Sequence, residues 1–223
     1  MQLKYFVFTL HFESLLVCVS KFLWCGSWSH CHVYLIRVVK FAACEGLHAL
    51  MIGVMQPQLA SGSRLVASAY GDVLYRAWKE EGNDQLKLAM EESVQSFIHQ
   101  AIHAADTRYF RSLRILLGTF HDSKRVKGVD SMLLRVYGPI IWRSLRCANA
   151  IVRAQATIIF FDTFPLQNEE AGAAETDALL QKQFDLFGSL LRDTDHRVRA
   201  AAASGVPPPD VATRPSVPAR QRV

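Results

Sequence analysis

From Leu47 to about Val206, apolar residues return at three- and four-residue intervals with only short interruptions. That rhythm restricts the chain to an array of helices packed on one another. Ser63 to Lys79 carries Leu65, Val66, Ala69, Val73, Leu74, Ala77 and Trp78 at this spacing, and Gly82-Asn83-Asp84 closes the run. The same spacing predicts helices over Leu86 to Ala104, Tyr109 to Phe120, Met132 to Cys147, Ile151 to Phe164 and Leu179 to Leu191. Connections between them are mostly short, so consecutive helices should pack antiparallel. Pro139 should kink its helix or mark its first turn, and Pro165 should stop the next one.

A shift of 46 residues lays SLRCANAIVRAQA on LLRDTDHRVRAAA, with Asn149 on Asp195, Val152 on Val198 and Arg153 on Arg199. A period near this length is that of HEAT or armadillo units. The residue types suit a stacking role. Asn149 and Asp195 can accept the free backbone donors that begin a helix, and Arg153 and Arg199 can reach the polar turn of a neighbouring repeat. The fold class expected is therefore all-α, a HEAT/armadillo-like solenoid of antiparallel helix pairs, incomplete at both ends. Three segments follow: an uncommitted apolar stretch over 1–46, the helical region over 47–206, and a disordered tail over 207–223. Five of the eight prolines fall in that tail.

Half of the residues are hydrophobic and a fifth are charged, enough to build a core and unlike a disordered chain. The formal charge of +5 points to an acidic partner, whether nucleic acid, protein or anionic membrane. It is also segregated. Thr107 to Arg153 is +8, whereas Ile158 to His196 is −6. The five cysteines are odd in number and do not read as a secreted disulfide framework, so a reducing compartment is expected. His11, Glu13 and Lys21 interrupt what could otherwise be a signal peptide, and no uncharged stretch is apolar enough to span a membrane. An anchor within residues 1–43 stays open as a rival reading.

The sequence carries no Gly-rich phosphate loop, no Gly-x-Ser-x-Gly and no His-Glu-x-x-His. A scaffold without catalytic residues or cofactor is expected. Cys25, His30, Cys31, His32, Cys44 and His48 have ligand atoms, but the cysteine spacing is not that of a structural zinc site. His99 and His103 lie one helical turn apart without an acidic companion and read as helix-surface residues. The basic block is the strongest chemical signal. Arg111, Arg114, Lys124, Arg125, Lys127, Arg143 and Arg146 are the candidates for contacting a phosphate backbone, with charge attraction but no base reading. Arg135 would lie within about 80° of Arg143 and Arg146 on an ideal helix. A solvated face balanced by the acidic block is the competing expectation.

The segments LVASAYGDVLYRAWKEEGND, VKGVDSMLLRVYGPIIWRSLRCANAIVRAQATIIFFDTFPL and LLQKQFDLFGSLLRDTDHRVRAAAASGV resemble the N-terminal HEAT region of the G-type subunit of condensin II. The most specific pieces are Tyr75 to Lys79, Arg135 to Leu145 and Gln181 to Phe184. The resemblance implies a nuclear, chromosomal scaffold of mitotic chromosome condensation. Its implied partners are the kleisin and the structural-maintenance-of-chromosomes (SMC) subunits and double-stranded DNA, with no small-molecule substrate. Residues 1–43 carry no such likeness, and prolines stand where a repeat would continue, so a truncated member of the family is expected. A HEAT module that binds an acidic or extended peptide without DNA is the alternative.

Overall fold

A computed structural model of the protein describes residues 47–82 and 84–205. The expected disordered tail and the whole N-terminal segment over 1–46, with its Cys and His residues up to Cys44, lie outside this range. Every regular element among the described residues is helical. The eight helices are α1 (Leu47–Ala60), α2 (Arg64–Lys79), α3 (Asp84–Ile102), α4 (Thr107–Asp122), α5 (Val129–Ser144), α6 (Ala150–Thr163), α7 (Ala173–Leu190) and α8 (His196–Gly205).

Local chemistry sets their limits. Ser63 caps α2 by accepting the Val66 N–H, and Asp106 and Asn149 cap α4 and α6 by accepting from Arg108 and Ile151. Gly82 and Gly128 turn the chain at φ values of 82° and 85°, where a side chain would be strained. One expectation is narrowed here and one is corrected. Pro139 lies well inside α5, because the helix starts at Val129, so it marks no first turn. The helix expected from Leu179 begins at Ala173 instead, since Ala, Glu and Thr supply an N-terminal turn with no apolar stripe to betray it.

The helices form two layers. In one, α1 packs on α3 and α3 on α5; in the other, α2 packs extensively on α4, α4 touches α6, and α6 packs extensively on α8. The core lies between the layers, where Tyr70, Phe97, Phe120, Tyr137 and Phe160 are fully buried. At Gly71 the backbones of α2 and α4 come so close that an added Cβ would collide with the Leu116 carbonyl and the Thr119 hydroxyl. No described helix is long and apolar enough to cross a membrane.

Candidate functional site

The seven basic candidates do not share one environment. Lys124 points inward from the α4–α5 connection, with only 17% of its side chain exposed. Its ammonium donates to the Thr163 carbonyl at 2.6 Å and to the Pro165 carbonyl, and Asp130 lies 3.5 Å away. It thus binds the free carbonyls at the C-terminal end of α6, where a cation is favoured. Burial lowers its proton affinity, and Asp130 opposes that shift. Arg114 grips Asp162 of α6 through two bonds of 2.7 Å, and this pairing raises its pKa.

Arg111, Arg125, Lys127, Arg143 and Arg146 are exposed. Among the described residues none of these five enters an ion pair. They are nevertheless spread out. Arg125 and Lys127 precede α5, whereas Arg143 and Arg146 stand at its far end, roughly 20–25 Å away along the helix axis. Arg135, between them, donates twice to Glu91, which also accepts from the Trp78 indole. Because α5 ends at Ser144, Arg146 lies beyond the helix, and the ideal-helix angle drawn from Arg135 does not apply to it.

The acidic segment that follows folds back on the basic one. Asp162 holds Arg114, and the Glu169 carboxylate accepts the N–H groups of Gly128 and Asp130 at the start of α5. An anion at this end of a helix satisfies free donors and meets the positive end of its dipole. Charge segregated along the sequence is in this way partly interleaved in space.

The stacking candidates occupy successive turns. Arg153 donates two bonds, 2.9 and 2.8 Å, to Asp193 in the turn between α7 and α8, and its remaining nitrogen reaches the Cys147 and Ala148 carbonyls. Both partners are only 13% exposed, and the Arg153 bonds hold the Asp193 carboxyl below its ordinary range. Arg199 repeats the local half of this pattern with the carbonyls of Asp193 and Thr194. Asn149 accepts from the N–H two residues on, and so does Asp195. The structure adds a third such turn. Asp106 makes the same bond 43 residues before Asn149, a spacing the 46-residue comparison passes over, and Phe110 stands there at the position of Arg153.

A second feature is a cleft of about 740 Å³ between the end of α5 and α7, lined by Trp142, Leu145, Arg146, Leu179, Lys182 and Leu186 among others. It was not foreseen in the sequence, because it results from α7 lying away from α5.

No group of three or more His, Cys, Asp or Glu side chains suited to a metal occurs among the described residues. A family model described as condensin II non structural maintenance of chromosomes subunit matches residues 33–168, and the chain belongs to that family. The match reaches eleven residues into the stretch 1–43, which the resemblance had left out. Condensin-2 complex subunit G2 of Xenopus laevis is 32% identical over 155 residues, covering 69% of this chain and 13% of the relative. The human subunit is 33% identical over 156 residues, 69% of this chain and 14% of its own length. The mouse subunit is 33% identical over 150 residues, with 67% and 13% covered. The chain thus spans about an eighth of the length of the relatives it matches. No solved structure matches it.

Proposed function

We propose that this chain is a HEAT-like scaffold segment of a condensin II subunit, acting in the nucleus on mitotic chromosomes by holding the kleisin and duplex DNA and catalysing nothing. The family match over residues 33–168 is the observation that carries this reading. The exposed cations support its DNA part. Arg125 and Lys127 at one end of α5 and Arg143 and Arg146 at the other can reach one duplex if it runs along that helix, with Arg111 as a further contact. Arg114 and Lys124 would act indirectly, by fixing the α4–α6 packing and the loop that carries Arg125 and Lys127.

Binding to duplex DNA should fall steeply with salt, ignore sequence, and lose about 0.9 from its log-log salt slope for each phosphate contact removed. Arg125→Glu with Lys127→Glu, and Arg143→Glu with Arg146→Glu, should each weaken binding while helicity is unchanged. Pull-down with the kleisin subunit tests the protein partner. A second reading is favoured by the α5–α7 cleft. Its lining joins Trp142, Leu145, Leu179 and Leu186 with Arg146 and Lys182 against one carboxylate, Asp185, which suits an extended acidic peptide, as in a module that never touches DNA. Unaltered DNA affinity in both double variants, or none at low salt, favours that module.

A further inference from the structure

We propose that His99 and His103 form a two-imidazole chelate for a late first-row divalent cation such as Zn²⁺ or Cu²⁺, at the C-terminal end of α3. The His103 N–H donates to the His99 carbonyl at 3.2 Å, so the helical turn continues through both residues and sets their side chains on one face. Their ring centroids lie 4.5 Å apart with 36° between the planes.

That separation falls within the range that a two-imidazole chelate spans. A metal about 2.05 Å from an imidazole nitrogen lies about 3.2 Å from the ring centroid, so two rings at an angle of 90–109° have centroids about 4.5–5.2 Å apart. No backbone movement is needed to reach this range.

Both residues are exposed, and among the described residues neither ring enters a hydrogen bond or ion pair. The other described histidines with ring partners differ: the His121 ring meets the Tyr137 hydroxyl and the His48 ring faces Glu92. Burial and then the nearby His99 lower the proton affinity of His103. Imidazole nitrogen suits zinc and copper, and the open positions fall to water or to a side chain of another molecule.

The test is a Zn²⁺ titration of the full chain, followed through the imidazole proton resonances of His99 and His103. Reading these rings directly separates the site from zinc held by thiols. Both should shift together, with one midpoint below millimolar zinc. His99→Ala and His103→Ala should each weaken the site by about tenfold or more and by as much as the double variant, since either loss ends the chelate effect. Both positions are exposed, and unchanged helicity shows that the variants fold. Separate midpoints, additive losses, or no shift of these resonances below millimolar zinc would overturn the proposal.

Discussion

The surroundings of α2 and those of α7 differ in how deeply they bury side chains. Around α2, eight residues of one helix are buried, and Tyr75, Trp78 and Phe120 meet ring against ring. In α7 only Gln183 and Leu190 are buried, while Phe184 and, just past the helix, Leu191 are exposed by 49% and 38%. Polar bonds share the hold on α7 with ring contacts: the Gln183 amide exchanges bonds with the Leu166 backbone, Arg153 holds the Asp193 turn, and Phe184 and Phe187 meet Phe164 and Phe161 edge to face. Apolar contact gives stability in proportion to buried area, whereas a few directed bonds fix position and leave little resistance to opening.

Trp78→Ala should therefore have the largest effect, about 3–5 kcal/mol by chemical denaturation, because it empties a core site and leaves Glu91 without the indole donor. A loss below about 1 kcal/mol would break the comparison. Gly71→Ala should cost about 2–3 kcal/mol by forcing α2 and α4 apart, with a corresponding drop in midpoint. Arg153→Ala should cost about 1–3 kcal/mol by leaving Asp193 unpaired, and hydrogen exchange should show the loss confined to α7 and α8.

Acid sharpens the same contrast. His121 is desolvated against Tyr137, near Lys124 and Arg114, and burial first, then these cations, push its pKa down to about 3. Its folded value is depressed, so stability is complete above the ordinary histidine value. It declines as pH falls below about 6.5, because the unfolded chain takes up the proton first. By pH 5 the loss should be about 1–2 kcal/mol, and His121→Gln should flatten that slope. Phe184→Ala, at an exposed site, should be smallest, below about 1 kcal/mol, and a larger loss would mean that α7 is better covered than its exposure indicates.

Periodicity in the sequence was enough to find the helices with long apolar stripes, α2 to α6, because burial on one face leaves a trace every three or four residues. It missed the start of α7, where Ala173 to Thr176 form a helix without burying a face. The basic block was legible as a run of charges but not as a site. Nothing local distinguishes Lys124, bound to carbonyls some 40 residues away, from Arg125 beside it in solvent.

The sequence by itself determined most of the elements and some of the chemistry at their ends: which stretches with an apolar stripe are helical, where Asn149 and Asp195 begin them, and that charge falls into two blocks of opposite sign. These depend on neighbours within a few residues, whose interactions are set by backbone geometry. Only the tertiary structure decided which charges face outward, that Asp162 and Glu169 return to the basic block, that Arg153 meets Asp193, and that a cleft opens between α5 and α7. Those outcomes depend on how layers stack at distances of about 40 residues along the chain, where packing of the whole array, and not local preference, selects one arrangement.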